Sequence, residues 1–243
     1  MRSPWLITHP QRAKLYNKLD AVVVLTEKDK ILWDKLHSNV IAINNPLTLK
    51  PTLAERSETS KTTRVVSVGR LTEQKGFEYL IEAIYLINKN KLIDDLKLYI
   101  VGDGQLKEEL ANKINHYKLN DKVFLLGRRK DINMIFSDSD IYVSSAVYEG
   151  FGLAMVEAQS HGLPVIAFDC LAGPAEILKP DCGILIENRN VEQLSDAIKL
   201  LATNVALRNK MSDAALENVK KFDIKKISEI WVDHLDGLIN ERC

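Results

Sequence analysis

From residue 64 onward, short apolar runs alternate with amphipathic stretches of helical periodicity. The pattern predicts strands over residues 65–68, 97–101, 123–126, 141–144, 165–168 and 183–186, and between them helices over residues 76–88, 106–117, 131–137, 153–161 and 175–178. Strands that are apolar throughout and alternate with helices are typical of a parallel sheet covered on both faces. The sequence therefore predicts an α/β fold with a doubly wound parallel sheet.

Residues 1–45 hold only a strand–helix–strand pattern, with strands predicted over residues 20–26 and 39–43 and a helix over residues 27–37. Two strands rarely form a stable core alone. The fragment is therefore interpreted as the remnant of a preceding domain, or alternatively as a small cap packed on the final helix. Residues 46–63 are polar and rich in turn formers, which indicates a linker.

Two helices predicted over residues 191–202 and 205–221 close the main domain, which spans residues 64–222. Residues 223–243 contain a further amphipathic segment, which predicts a separate carboxyl-terminal helix. The predicted organisation is a fragment, a linker, one complete domain and a terminal helix.

The charges balance, since 33 lysines and arginines are matched by 33 aspartates and glutamates. The chain therefore has no excess positive charge that would favour nucleic acid as a partner. Cys170, Cys182 and Cys243 lack the spacing of a disulfide framework or a metal site, which favours free thiols in a reducing compartment. No apolar run approaches the roughly 20 residues of a spanning helix. The sequence predicts a cytoplasmic protein with at most peripheral association with the inner face of the membrane.

The segment YEGFGLAMVE, residues 148–157, joins the end of a predicted strand to the start of a helix. Parallel sheets bind ligands outside the carboxyl ends of their strands, which is where Glu149 is expected. Gly150 and Gly152 allow a tight turn and leave the first amides of the helix free to bind a phosphate. Glu157 follows about one turn into the helix, so the two glutamates can contact different parts of one extended ligand. The alternative is a simple turn with two solvated acids.

A second loop, VGRLTEQKG at residues 68–76, follows the first strand of the main domain. Arg70 offers a planar fork of donors and Lys75 a flexible point charge, and both suit an anion. Two surface cations in an exposed loop are the alternative. The loop GRRKD at residues 127–131 carries three more cations, which indicate either part of a nucleotide pocket or an exposed basic loop.

Several common ligand sites have no signal in the sequence. The histidines are isolated from one another and no Asp-x-Asp pair follows a strand, so no metal is expected. The phosphate-loop and dinucleotide fingerprints are absent, which argues against P-loop NTPases and ordinary dehydrogenases.

In their order along the chain, these elements resemble the retaining glycosyltransferase family 4. The likeness runs from residue 65 to about residue 201 and includes GRLTEQKG, VGDG, SSAVYEGFGLAMVEAQSHGLPVIAF, GPAEIL and GILI. The resemblance implies one half of a GT-B architecture, in which two Rossmann-like domains face each other across a cleft. Residues 64–222 would be the nucleotide-sugar-binding domain, residues 1–45 a remnant of the amino-terminal domain, and residues 223–243 a helix that crosses back to it.

The resemblance also implies roles for single residues. Arg70 and Lys75 would hold the donor diphosphate, Glu149 would bind hydroxyls of the transferred sugar, and Glu157 would bind the ribose. Glu149, Arg70 and Lys75 are the candidate catalytic residues. The candidate donor-binding residues are Gly69, Arg70, Lys75, Arg129, Glu149, Gly150, Phe151, Gly152, Leu153 and Glu157. The nucleoside-diphosphate sugar is a substrate, and neither a cofactor nor a metal is expected.

The activity implied by the resemblance is transfer of a sugar from a UDP-sugar to a polysaccharide or glycolipid acceptor. Almost all of the amino-terminal domain of family members has no counterpart here, so the isolated chain is expected to be inactive and to need a separate amino-terminal domain as a partner. Two alternatives of other classes stay open. One is a nucleotide-binding regulatory module without turnover, and the other is a GT-B isomerase acting on a nucleotide sugar.

Overall fold

The structure is a computed structural model that describes residues 16, 18–50, 62–91, 93 and 95–240. Most of the predicted linker, at residues 51–61, lies outside the described residues, as do residues 1–15 and Cys243. The described chain forms a six-stranded sheet with helices on both faces and a two-stranded sheet beside it.

The amino-terminal fragment forms the smaller sheet. Strand β1 (Val22–Val24) pairs in parallel with strand β2 (Val40–Ala42), and helix α1 (Glu27–Trp33) connects them. The Thr26 side chain caps this helix by accepting a hydrogen bond from the Asp29 amide at 3.1 Å. The predicted strand–helix–strand pattern is therefore present.

Helix α1 ends at Trp33, whereas the sequence pattern predicts residue 37. The His37 ring lies in the turn that follows, with Nε2 3.0 Å from the Leu19 carbonyl oxygen. Its Nδ1 accepts a hydrogen bond from the Asn39 amide at 3.0 Å. The His37 ring therefore links the residues that precede β1 and β2.

In the part of the chain that the structure describes, the larger sheet has six strands, all parallel. They are β3 (Thr63–Val68), β4 (Leu96–Val101), β5 (Val123–Gly127), β6 (Ile141–Ser144), β7 (Val165–Asp169) and β8 (Gly183–Glu187). Their spatial order is β5-β4-β3-β6-β7-β8. The order reverses between β3 and β6, so the space beyond their carboxyl ends is the topological switch point of a Rossmann-like sheet. The predicted doubly wound α/β fold is confirmed.

The remaining helices cover this sheet or follow it. They are α2 (Phe77–Lys89), α3 (Lys107–His116), α4 (Ile132–Ser137), α5 (Leu153–Ser160), α6 (Gly173–Ile177), α7 (Val191–Thr203), α8 (Val205–Asn218) and α9 (Ile224–Asn240). Two short 3₁₀ turns, Glu73–Lys75 and Val219–Phe222, precede α2 and α9. The second turn takes the place of the last residues of the helix predicted over residues 205–221.

Successive strand residues point to opposite faces of the sheet and so build two cores. Val65 of β3 packs in the first core with Leu80 of α2. The neighbouring Val66 packs in the second core with Val156 of α5 and with Phe222. Because both faces are covered, the strands read in the sequence as continuous apolar runs.

The amino-terminal fragment packs against the second core where α9 begins. The Leu47 amide donates to the Phe222 carbonyl at 2.8 Å, and Leu47 forms a parallel bridge with Asp223. The side chains of Leu25, Leu47 and Leu49 pack against the second core. The first residues of the predicted linker are therefore bound to the main domain.

Helix α9 leaves much of its apolar surface exposed. Ile227 is buried, whereas Ile224, Trp231 and Leu235 are exposed, with Trp231 at 39%. These four residues recur at the spacing that places side chains on one side of a helix. Ile224, Trp231 and Leu235 are called the α9 apolar face below.

Candidate functional site

Two loops meet at the switch point. The first, residues 69–76, leaves β3, and the second, residues 145–152, leaves β6. Three hydrogen bonds join them: Ser145 Oγ donates to the Lys75 carbonyl at 3.0 Å, the Val147 amide to the Gln74 carbonyl at 2.9 Å, and Gln74 Nε2 to the Tyr148 carbonyl at 3.0 Å. The two loops therefore form one hydrogen-bonded unit.

Two glycines with positive φ make this arrangement feasible. Gly76 has φ +57°, and a Cβ there would lie 2.2 Å from the Ser145 carbonyl oxygen. Gly152 has φ +99°, and a Cβ there would lie 2.1 Å from Met155 Cε. A larger residue would be strained at both positions. Gly76 lets the two loops touch, and Gly152 lets the chain turn into α5.

Lys75 Nζ and Glu149 Oε2 form an ion pair across the two loops. Their side chains are 21% and 15% exposed, so the pair is largely shielded from water and less screened than a surface pair. The backbone of Glu149 is fixed from the other side, because the Gly173 amide donates to the Glu149 carbonyl at 3.3 Å. The structure thus brings two of the predicted site residues into direct contact.

A cleft of about 350 Å³ opens beside this ion pair. Its lining consists of Val68, Gly69, Arg70, Gln74, Lys75, Tyr142, Ser144, Glu149, Gly152, Leu153, Ala154 and Met155. The predicted site residues among them are Gly69, Arg70 and Lys75 on the first loop and Glu149, Gly152 and Leu153 at the second loop and the start of α5.

The cleft offers positive charge and backbone donors together. Arg70 is exposed at its rim, and the structure records no ion pair between Arg70 and the other described residues. Helix α5 begins at Leu153, and the first amides of a helix have no acceptor within it. A cation beside the amino terminus of a helix favours an anionic ligand.

Gly150 and Phe151 are not part of the cleft lining. Phe151 is buried, and its ring meets the Phe222 ring edge-on at 5.6 Å in the second core. A Cβ at Gly173 would lie 2.0 Å from the Phe151 carbonyl oxygen, so α6 packs closely against this part of the loop. Phe151 therefore anchors the second loop, and a donor contact through its backbone stays a prediction.

Arg129 lies away from the cleft, in the loop after β5. Its Nε and Nη2 donate to both carboxylate oxygens of Asp131, at 2.8 and 2.6 Å. Hydrogen bonding to Asp131, together with its charge, raises the pKa of Arg129, and the same hydrogen bond lowers the pKa of Asp131. Strand β5 is at the edge of the sheet, two positions from β3. The structure does not bring Arg129 to the cleft lining, and its part in a nucleotide pocket stays a prediction.

Glu157 lies in the second turn of α5, outside the cleft lining. It is half-buried, and this burial raises the pKa of its carboxyl above the ordinary value. A carboxylate that has lost part of its contact with water is stabilised by a ligand that donates a hydrogen bond to it. Its assignment to a ribose stays a prediction.

Sequence reasoning missed three polar residues of the lining: Gln74, Tyr142 and Ser144. Gln74 lies within the predicted phosphate loop, whereas Tyr142 and Ser144 belong to a strand predicted to be buried. Their signal was available in the segment IYVS, where two hydroxyl-bearing residues alternate with aliphatic ones. That alternation places both hydroxyls on one face of the strand.

Within the described residues, no group of three or more histidine, cysteine, aspartate or glutamate side chains could hold a metal ion. Cys170 and Cys182 are buried free thiols. Across the same residues, no helix combines the length and the apolar character needed to cross a bilayer.

Residues 51–218 match the family described as Glycosyl transferases group 1. This match covers more than half of the chain and includes every residue of the cleft lining. The chain belongs to this family. The expected resemblance to glycosyltransferases is confirmed, and the family is one of transferases.

Two relatives from bacteria illustrate the likeness. The chain is 34% identical over 230 residues to the amylovoran biosynthesis glycosyltransferase AmsD of Erwinia amylovora, covering 91% of this chain and 63% of the relative. It is 31% identical over 223 residues to the poly(ribitol-phosphate) alpha-N-acetylglucosaminyltransferase of Staphylococcus aureus, covering 89% of this chain and 44% of the relative.

A similar fold is found in a mutant of S. aureus TarM, solved in complex with fondaparinux, alpha-GlcNAc-glycerol and UDP. The TM-score is 0.81 at 32% identity, and the match covers 91% of this chain and 45% of that protein. This chain therefore spans less than two thirds of the length of each of these relatives.

Burial of Glu157 predicts a pH-dependent stability. The folded protein binds the proton of this carboxyl more tightly than the unfolded chain, so stability falls as the pH rises from the ordinary pKa of 4.5 through the raised folded value. Glu157→Gln should therefore raise the melting temperature near neutral pH, and the gain should shrink below the ordinary pKa. Thermal melts across this range test it, with the exposed Glu229→Gln as control. A gain that does not vary with pH would contradict the explanation.

Proposed function

We propose that this chain is the nucleotide-sugar-binding half of a retaining GT-B glycosyltransferase that transfers a sugar from a UDP-sugar to a polysaccharide or glycolipid acceptor. The observation that carries the proposal is the Lys75–Glu149 ion pair in the cleft at the switch point. A cation and a carboxylate in one cleft supply both contacts that a sugar nucleotide needs. The cation binds the diphosphate, and the carboxylate accepts hydrogen bonds from sugar hydroxyls.

In this proposal Arg70 and Lys75 bind the diphosphate together with the first amides of α5. Negative charge develops on the diphosphate as the bond to the transferred sugar breaks, and fixed cations stabilise that charge. Lys75 exchanges its Glu149 partner for a phosphate oxygen, which frees Glu149 to bind the sugar. Glu157 binds the ribose, and the proposed leaving-group stabilisation requires no metal.

The finer parts of the proposal rest on relatives. UDP is chosen because the TarM mutant was solved with UDP. The acceptor class follows two relatives, AmsD of amylovoran biosynthesis and the poly(ribitol-phosphate) transferase. Retention of configuration follows the resemblance of the segment at residues 148–157 to retaining enzymes.

The acceptor is proposed to bind an amino-terminal Rossmann-like domain, since the relatives are considerably longer than this chain. The α9 apolar face is proposed to pack against that domain. An exposed apolar stripe on a helix is a suitable surface for such packing, because covering it removes apolar area from water.

We predict that Lys75→Ala and Arg70→Ala each weaken UDP binding by about 1–3 kcal/mol, because each removes a charge-assisted contact with phosphate. Isothermal titration calorimetry measures the affinities. Lys113→Ala is the matched control, because Lys113 pairs with Glu82 at 3.5 Å outside the cleft lining. Unchanged affinity in both cleft variants would remove the phosphate role.

Glu149→Gln should leave the affinity for free UDP unchanged or make it tighter. The substitution removes the carboxylate that competes with phosphate for Lys75, and UDP carries no sugar for Glu149 to bind. Sugar transfer by the protein joined to an amino-terminal domain should fall strongly in the same variant. Glu157→Ala should instead weaken UDP binding itself. Equal losses of UDP affinity in the two variants would contradict this division of roles.

The isolated chain should bind UDP without measurable transfer, because alignment of the acceptor with the donor carbon supplies about 7–11 kcal/mol and requires the facing domain. UDP, GDP and ADP are titrated first. A labelled UDP-sugar panel is then incubated with cell-envelope acceptors, with this chain alone or extended by an amino-terminal domain.

Transfer by the extended form alone supports the proposal. Comparable transfer by both forms contradicts the half-enzyme interpretation. Nucleotide binding without transfer in either form favours the regulatory module, and a product formed without acceptor favours the isomerase.

A further inference from the structure

Two hydroxyl groups on β6 face the cleft and have no role in the site as described so far. Tyr142 and Ser144 lie two residues apart on the strand, so their side chains share one face. Both line the cleft, yet they are only 2% and 8% exposed. They form its floor, beneath the two loops.

The Tyr142 side chain extends along the sheet toward the carboxyl edge. Tyr142 pairs in register with Val66, whereas its hydroxyl reaches the carbonyl of Val68, two residues further along β3. The distance to that carbonyl is 3.5 Å, which is long for a hydroxyl donor with an ordinary optimum of about 2.7–2.8 Å. The buried phenol is therefore poorly satisfied in the free protein.

Core packing does not require the Tyr142 hydroxyl. The ring packs edge-on against Phe136, with centroids 6.0 Å apart, and a phenylalanine would fill the same space. The Ser144 side chain borders the cleft, and the structure records no hydrogen bond from its hydroxyl to the described residues. One hydroxyl with only a long hydrogen bond and a second that borders the cleft are therefore both able to donate to a ligand bound there.

We propose that the hydroxyls of Tyr142 and Ser144 form a neutral hydrogen-bonding floor that donates to the phosphate oxygens of a bound nucleoside diphosphate. This inference rests on the proposed function. The floor adds two donors to Lys75 and Arg70 without adding charge.

The chemistry of the floor suits phosphate. Phosphate oxygens only accept hydrogen bonds, so they need donors, and the Tyr142 hydroxyl lies where β3 passes into the loop that carries Arg70 and Lys75. Burial, and then the charges of Glu149 and Glu157, raise the pKa of Tyr142 above its ordinary range. The phenol therefore stays protonated and remains a donor.

Calorimetric titration of UDP and of uridine tests the floor in the wild type and in Tyr142→Phe and Ser144→Ala. Each variant should bind UDP about tenfold more weakly, as expected for loss of a hydrogen bond to a charged group, with uridine affinity unchanged. Tyr85→Phe is the matched control for Tyr142→Phe, because Tyr85 stacks on Tyr117 at 4.2 Å outside the cleft lining and should bind UDP as the wild type does. Thermal melts establish that each variant is folded.

The outcomes separate the floor from the proposed function. If the wild type binds UDP and both floor variants bind it with unchanged affinity, the floor is overturned and the proposed function stands. Equal losses for UDP and uridine also overturn it, because the contact would then be to the nucleoside. A wild type that binds no nucleoside diphosphate overturns the proposed function and the floor with it.

Discussion

The reversal of strand order between β3 and β6 is the constraint on which the rest of the site depends. All six strands run in one direction, so β3 and β6 end side by side, yet the chain leaves them toward α2 and α5 on opposite faces of the sheet. The two loops meet above the switch point and then continue toward opposite faces, and the crevice lies beside the place where they meet. Lys75 and Glu149 meet in this crevice because each belongs to the loop that follows its strand.

Hydrogen bonds between the loops hold the charges of the cleft in place before a ligand arrives. Moving Lys75 and Glu149 out of water costs free energy, which their mutual attraction partly offsets. A diphosphate brings negative charge to the same place and can replace the carboxylate as the partner of Lys75. Neutral donors such as Tyr142 and Ser144 suit this exchange, since they add contacts to phosphate without adding a charge that must also be desolvated.

The sequence predicts the fold well because its strands are buried on both faces, and this burial produces the alternation of apolar runs and amphipathic helices. It also predicts that the loops of Lys75 and Glu149 lie at the same edge, since parallel strands end there, but it does not predict their ion pair. The role proposed for Tyr142 and Ser144 was not predicted, because the alternation in the segment IYVS shows that both hydroxyls share a face but not that this face borders the cleft. Two further contacts could not be predicted from the sequence. The pairing of Arg129 with Asp131 depends on side-chain conformation within one loop, and the packing of Leu47 depends on Phe222, which is far away in sequence.

Every residue of the cleft lining lies between Val68 and Met155, on one sheet and the loops at its switch point. In the proposed function, the contacts to the diphosphate and the transferred sugar are therefore local to this unit. Catalysis requires in addition that an acceptor be held against the donor carbon, which involves a second surface. The α9 apolar face lies outside the cleft lining, and covering it contributes about 25 cal/mol per Å² of apolar area. Because the proposed docking surface and the proposed donor contacts use different residues, a facing domain could close over the cleft without disturbing the contacts that hold the donor.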